Sequence, residues 1–545
     1  MRISSGKAGW DLSPAFSFAP VRAFLAFLCL LLIAADTWAS VGRPVLAPPY
    51  AHSQIKGGCR KQHPYLAETV AAQAQQAPAS QALEALEAVE DDEALHLSLQ
   101  ECIDIAIERN LGLINGRDSV RMAESSLAIQ EGDFRPTLYT TYLGSIYNSH
   151  LIQDYGNQAG ILLTQTHKYG GTLSLTSSLG WIEHESDYRA DPLSTLNLDS
   201  FGSKSEFTSS LGLSVSQQFL KGAFWQAATA SLRQAEFDVT LARLDLEVLV
   251  LDLSMSVKQA FYAVLKSQEY ITVMESALAA SEQDLRIASL RLTEGLSSRL
   301  DYSRAELVHI NRERDLNTAK KQLQSASDNL VRLMGLEIGE RVLPVPGVSK
   351  ELIQVRTEEW IDKAFLDRPD VRATRVQINK YKVSEQSAKN NTLPTLEADG
   401  SFKMSETDDK FPETLDITER VWEFSLKFEH GFPNVSDNEL LVQSKIASRQ
   451  LARTLVNMKR EIAVSIRELA RQLSRLSEDV EYLERAERIA SEQLDLARLS
   501  YEEGLITNRD LITAENDHTA ARIEHISAIY DYLSAVASLD RALGK

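Results

Sequence analysis

Two stretches of chain, residues 223–294 and 434–503, hold neither glycine nor proline, and each runs into the same three letters, Glu294-Gly295-Leu296 and Glu503-Gly504-Leu505. A second uninterrupted stretch follows each glycine, 296–334 and 505–543. Gly and Pro are the main interrupters of helices, so the pattern predicts two pairs of long antiparallel helices, each turning at its glycine. As one helix, Ala223 to Glu294 would extend roughly 110 Å. No compact single domain needs such a rod.

The duplication keeps register. With a shift of 209 positions and no gap, Leu285, Ala288, Leu290, Gly295, Asp301, Ala305, Glu306 and Gly335 all meet identical residues, the last being Gly544. A second block repeats with a shift of 258: Glu101, Ile103, Asp104 and Ala106 face Glu359, Ile361, Asp362 and Ala364, and Pro136-Thr137-Leu138 faces Pro394-Thr395-Leu396. Two tandem copies of one supersecondary unit are expected, about 96–336 and 353–545, with the length change lying between the blocks.

Aromatic and alternating segments occupy that intervening region. Strands are predicted at about 137–149, 205–220, 395–404 and 421–432, where apolar and polar residues alternate: Leu211, Leu213 and Val215 against Gly212, Ser214 and Ser216, and Trp422, Phe424, Leu426 and Phe428 on one face. Pro136 and Pro394 mark the entry into the first strand of each copy, because a proline ends the helical period before it. Residues 149–204 are polar, with Gly170-Gly171 and Asp191-Pro192, and read as an external loop carrying its own hairpin around the β-like run Gly171 to Trp181.

The amino-terminal part has a different character. Ala23 to Ala35 (AFLAFLCLLLIAA) is an apolar run behind Arg2, Lys7 and Arg22, too short to span a bilayer comfortably and suited to a signal peptide over 1–39. Residues 40–95, rich in Ala, Gln, Pro and Glu, read as a flexible extension. Cys59 follows Lys56-Gly57-Gly58 but lacks the apolar residue of a lipidation site and lies far beyond the apolar run, so lipidation is the lesser reading. Past residue 35 no continuous apolar run is long enough for a transmembrane helix, so membrane insertion would fall to strands. The first helix should begin at Ser98, with Glu101 completing a capping box, and bend near Asn110 to Gly116.

The long helix after residue 223 carries two apolar seams. Leu241, Leu244, Val248, Leu251, Met255 and Tyr262 form one; Leu246, Val250, Leu253, Val257, Ala260 and Val264 form the other. A two-stranded coil needs one seam, whereas a helix between two neighbours in a wall needs both.

Helix, strand, loop, strand, long helix, Gly-centred hairpin and returning helix, duplicated behind a signal peptide, resemble the TolC family of bacterial outer membrane efflux proteins over about residues 95–545. The markers are Arg135-Pro136-Thr137-Leu138, Leu393-Pro394-Thr395-Leu396 and the hairpin texts from Arg291 to Asp301 and Tyr501 to Leu511. The resemblance implies a mixed α and β membrane protein. It would be a homotrimer whose chains each give four strands to one 12-stranded outer membrane β-barrel, continued by an α-helical barrel across the periplasm. It further implies a passive exit duct of a tripartite efflux pump or a type I secretion system in a Gram-negative outer membrane, served by a periplasmic adaptor (membrane fusion protein) and an inner membrane transporter.

In the family the hairpins form the closed periplasmic tip. Carried over singly, Gly295 and Gly504 are the turns, Tyr501 and Asp301 match latch residues, and Asp510 matches a constriction aspartate. Each has a plainer reading: the glycines as helix caps, and Asp301 and Asp510 as first-turn acids that the helix dipole favours. Ile506 and Thr513 stand where the best-studied members carry a latch arginine and a second constriction acid. Arg299 and Arg509 are cations close by in sequence.

A net charge of −19 and the want of a basic stripe argue against nucleic acid. No phosphate loop, nucleophile elbow, metal-binding or dinucleotide motif is present, so neither an enzyme nor a cofactor or metal site is expected; Glu183-His184-Glu185 reads as solvated. The alternative is a soluble periplasmic coiled-coil adaptor or scaffold.

Overall fold

The computed structural model describes residues 95–148, 153–185, 204–295, 297–337, 342–345, 353–503 and 505–545. The expected signal peptide and extension, Cys59, Asp191-Pro192 and Gly504 lie outside these. In chain order the elements are β1 (Leu95–Leu97), α1 (Leu99–Arg109), α2 (Leu111–Gly132), β2 (Thr137–Asn148), β3 (Gln153–His167), β4 (Gly171–Glu185), β5 (Lys204–Gln218) and α3 (Phe224–Ala228). Then come α4 (Ala230–Thr293), α5 (Arg299–Met334), β6 (Val342–Pro344), α6 (Thr357–Asp367) and α7 (Pro369–Asn391). Last are β7 (Thr395–Asp408), β8 (Glu419–Glu429), α8 (Val435–Glu502) and α9 (Asn508–Leu543).

Local chemistry sets the helix boundaries. Ser98 and Glu101 form the capping box, the Glu101 carboxylate accepting from the Ser98 N–H at 2.8 Å. The bend falls at Asn110, whose side-chain oxygen accepts from Gly112 N–H at 2.8 Å and so starts α2 at once. Its amide nitrogen donates to the Leu333 carbonyl at 2.9 Å, tying the bend to the end of α5. Gly335 closes α5 at φ +69°, where a Cβ would stand 2.6 Å from the Arg109 carbonyl oxygen. Gly544 closes α9 at φ +76° against Asp367 and Arg368, between α6 and α7. The residues paired by the shifts of 209 and 258 thus make matching contacts. The first long helix differs from the continuous rod expected from Ala223: a short turn, α3, breaks at Thr229 before α4 begins.

α4 lies between neighbours along its whole length, packing on α2 and α7 near the sheet and on α5 and α9 beyond. α8 packs on α7 and then on α9. Across the wall the order is therefore α2, α4, α7, α8 at one level and α5, α4, α9, α8 at the other. Both seams are used. Gly116 of α2 leaves room for Leu246, since a Cβ there would lie 3.0 Å from Leu246 Cδ1. On the other side Lys258 meets Asp540 of α9 at 2.8 Å and Asp252 meets Arg541 at 2.5 Å. Phe261, Val257, Val264, Leu330 and Ile466 are fully buried in the shared core. An 18-residue window of α4 reaches a mean hydropathy of 1.5, which the reading of residues past 35 overlooked. Much of that apolar content belongs to the two seams. The outer helices are unlike α4: Met122, Ile129, Leu300 and Leu307 on α2 and α5, and Val464 and Leu496 on α8, are all more than half exposed.

Among the described residues six strands form one antiparallel sheet in the order β2-β3-β4-β5-β7-β8. Four strands per chain were expected, and the sheet of the single chain holds six. β3 and β4 are the hairpin expected within 149–204, paired into the sheet rather than standing apart on a loop; the bounds of β3 were not legible because Gln153–Ala159 places only polar or small residues beside a single tyrosine. The other strands shift at their ends, to 204–218, 395–408 and 419–429. The register runs a single apolar row through all six strands: Leu138, Leu163, Leu175, Leu213, Phe402 and Trp422. One residue along, on the opposite face, the row is Thr137, Thr164, Ser174, Ser214, Ser401 and Glu423. Successive strand residues point to opposite faces, so the sheet has an apolar side and a hydroxyl-rich side. Pro136 immediately precedes β2 and Pro394 precedes β7, its carbonyl accepting from Lys221 N–H at 3.2 Å.

Candidate functional site

The two helical hairpins turn at the end of the wall farthest from the sheet. In the first, α4 stops at Thr293 and Gly295 adopts φ +75°, with nothing within 4 Å of where a Cβ would stand. The glycine is required by its backbone angle, not by crowding. In the second, Leu505 N–H donates to the Ser500 carbonyl at 2.9 Å, a bond that ends the helix. Gly504 itself lies outside the described residues.

Asp301 and Asp510 occupy equivalent places and do the same local work. The Ser298 hydroxyl donates to the Asp301 carboxylate at 2.6 Å, and the Thr507 hydroxyl donates to that of Asp510 at 2.6 Å. Each aspartate completes a capping box at the start of its returning helix. These hydroxyl bonds hold both carboxyls below the usual carboxylate range, and Arg304, 3.6 Å from Asp301, acts in the same sense.

Tyr501 is buried between the hairpins. The Arg291 guanidinium lies over its ring, 4.3 Å from the centroid, and crosses from α4 to α8. Burial raises the Tyr501 phenol, and Arg291 opposes that rise. Asp301 acts on Tyr501 only as a minor charge, so the structure does not bring the two into a hydrogen-bonded pair. The cation here is Arg291 rather than Arg299 or Arg509. Ile506 packs with Leu494, Tyr501, Leu511 and Ile287 in a small apolar core, and the Thr513 hydroxyl donates back to the Arg509 carbonyl at 2.9 Å. Neither supplies charge.

One turn farther from the tip lies a group of charges that the sequence reading missed. Asp284 of α4 and Glu515 of α9 share a side-chain hydrogen bond, with Arg498 of α8 3.7 Å from Glu515. Glu515 is buried, which together with the Asp284 charge pushes its carboxyl up to about 7; Asp284 is also raised by burial. No pattern of letters gave this away. Glu515 matches Glu306 in the first hairpin, which is exposed.

Among the described residues, the contacts at this end join one hairpin to the other through Arg291 and Tyr501. The model of the outer membrane efflux protein family matches residues 102–336 and 360–545. The chain belongs to that family, and is an outer membrane efflux channel rather than an enzyme or a soluble adaptor. The cobalt-zinc-cadmium resistance protein CzcC of Cupriavidus metallidurans is 22% identical over 318 residues, 58% of this chain and 73% of that protein. Among solved structures, CusC superposes with a TM-score of 0.61 at 16% identity, covering 83% of this chain and 93% of that one. The CmeC outer membrane channel of Campylobacter jejuni gives 0.62 at 13% identity, covering 82% and 85%. The open-state MtrE channel of Neisseria gonorrhoeae gives 0.61 at 18% identity, covering 82% and 88%. At these identities the likeness is one of fold.

Proposed function

We propose that copies of this chain, three by analogy with the family, close side by side into a duct whose sheet lies in the outer membrane and whose helices reach into the periplasm. The observation that carries this is the coincidence of open edges. β2 and α2 lie on one edge of the wall, β8 and α8 on the other, and among the described residues neither outer strand is paired on its far side. Unpaired backbone groups are not viable in lipid, and six strands are fewer than the eight of the smallest membrane barrels. β2 and β8 run in opposite directions, so β8 of one copy continues the antiparallel order onto β2 of the next. The exposed apolar residues of α2, α5 and α8 are covered by the same step.

On this reading the two halves of the chain are copies of one unit, and the hairpin turns form the periplasmic mouth. Gly295, Asp301, Tyr501, Gly504 and Asp510 shape that mouth, with Arg291 and Tyr501 pinning one hairpin to the other. A periplasmic adaptor and an inner membrane transporter dock there and supply the energy, since the duct is passive. Cobalt, zinc and cadmium ions are the first cargo to assay, because CzcC is named for resistance to them.

Membrane fractionation and mass measurement in detergent test the assembly. The expected result is a trimer recovered from outer membranes. A monomer recovered from the soluble periplasmic fraction would overturn the proposal.

A further inference from the structure

The hairpin β3–β4 is more than an ornament on an external loop. It is paired on both sides, β3 with β2 over Gln153–Thr164 and β4 with β5 over Gly171–His184. β2 and β5 are therefore separated by two strands. The turn between β3 and β4 is fixed at the helical end of the sheet. Gly170, at φ +83°, comes so close to the β5–α3 connection that a Cβ would stand 2.4 Å from the Gly222 carbonyl oxygen. Its own carbonyl accepts from Gln218 N–H at 3.1 Å. Only glycine meets both demands, which accounts for Gly170.

The alternation of the inserted pair is in phase with its neighbours. Ile161 and Leu163 of β3, and Leu173, Leu175 and Leu179 of β4, fall on the apolar face with Leu138 and Leu213. A plug lying in a lumen, or a flap in water, has no use for that phase. At one level the opposite face is small: Gly160, Ser178 and Ser210 follow one another across β3, β4 and β5, and the two serine hydroxyls are 2.7 Å apart. The two added strands bring no bulky side chains at this level to refill the space they open.

We propose that β3 and β4 are part of the transmembrane wall, so that three copies close a barrel of eighteen strands rather than the twelve that four strands per chain would give. This rests on the trimeric duct proposed above. Barrel diameter grows nearly in proportion to strand number: at a spacing of about 4.8 Å and a tilt of about 40°, twelve strands give roughly 24 Å between backbones and eighteen roughly 36 Å. After side chains are allowed for, the open cross-section is about three times larger. The outer membrane segment is then wide enough for bulky, hydrated cargo, lined by the hydroxyls of β2 to β5 and by charged side chains of β7 and β8 such as Glu397, Asp399, Lys403 and Glu423.

The test is a cryo-electron microscopy structure of the full chain extracted from outer membranes into lipid nanodiscs, read by counting strands at mid-membrane. Eighteen, with Leu163 and Leu175 toward lipid, is expected. A twelve-stranded trimer with residues 153–185 outside the wall overturns this inference and leaves the duct standing, whereas a soluble monomer removes the duct as well. Spin labels give a second reading in the chain carrying Cys59→Ser and Cys102→Ser. Leu163→Cys and Leu175→Cys should collide chiefly with oxygen dissolved in lipid, and Ser174→Cys and Ser178→Cys with a water-soluble nickel chelate. Labels at Leu163 and Leu175 that meet only the chelate contradict a place in the wall.

Discussion

The helices of the two halves match closely and the strands do not. α5 and α9 are each 36 residues long, and α4 and α8 run 64 and 68. The first half nevertheless gives the sheet four strands, β2 to β5, and the second only β7 and β8. The physics of the two regions explains the contrast. A helix with neighbours on both sides cannot gain a residue without turning its seams by about 100°, so its register is locked over the full length. An antiparallel sheet accepts a whole hairpin at no such cost, because two strands restore the direction of the chain and the in-out phase. One region is fixed by packing and the other is extensible in pairs.

The largest expected effect breaks that contrast outright. Inserting two alanines after Val257 turns the rest of α4 by about 200° and should abolish recovery of assembled protein from membranes. Replacing residues 150–203 by a short Gly-Ser turn should leave an extractable oligomer, since β2 and β5 are already antiparallel. If the insertion is tolerated or the replacement is not, the contrast fails.

Within each region the next effects are local. Phe261→Ala, at a fully buried core position, should cost about 3–5 kcal/mol in denaturant unfolding. Leu175→Arg, on the apolar face, should cost about 2–4 kcal/mol in refolding into lipid, and Ser178→Arg on the other face much less. Equal costs at 175 and 178 would deny the sheet its two faces.

pH sharpens the helical side. Burial raises Glu515 from 4.5 to about 7, so the unfolded chain releases this proton first. The stability it contributes is whole below pH 4.5 and is lost as pH rises through about 7. The facing groups are Asp284 of α4, Arg498 of α8 and Arg312 of α5. Melting of the assembled protein should fall between pH 5 and pH 8, and Glu515→Gln should flatten the fall; an unchanged pH dependence in the variant would show that the proton resides elsewhere. Smaller still, a double-mutant cycle of Arg291→Ala and Tyr501→Ala should return a coupling of about 0.5–2 kcal/mol, and Ser298→Ala should cost about 1 kcal/mol.

The sequence told most about what periodicity and breakers encode. The helices, their turns at Gly295 and before Leu505, the cap at Ser98 and the bend at Asn110 all rest on contacts within a few residues, which local sequence expresses. The hairpin within 149–204 was expected, but not the bounds of β3 or its place in the sheet, because its first half carries small and polar residues whose strand character comes from pairing with β2 and β4. The tip was legible in part. Gly295, Asp301 and Asp510 were recognisable because caps are local. Arg291 over Tyr501 and Asp284 beside Glu515 join helices about 210 to 230 residues apart, and nothing in the letters distinguishes buried Glu515 from its exposed counterpart Glu306.

That several copies of this chain enclose a pore through the membrane, closed at the hairpin end, is tested most directly in a planar lipid bilayer. Purified trimer carrying Arg291→Ala and Tyr501→Ala should give discrete conductance steps larger than those of the unaltered protein, because the contact pinning the two hairpins has been removed. Trimer that inserts yet gives no conductance in either form would contradict the account.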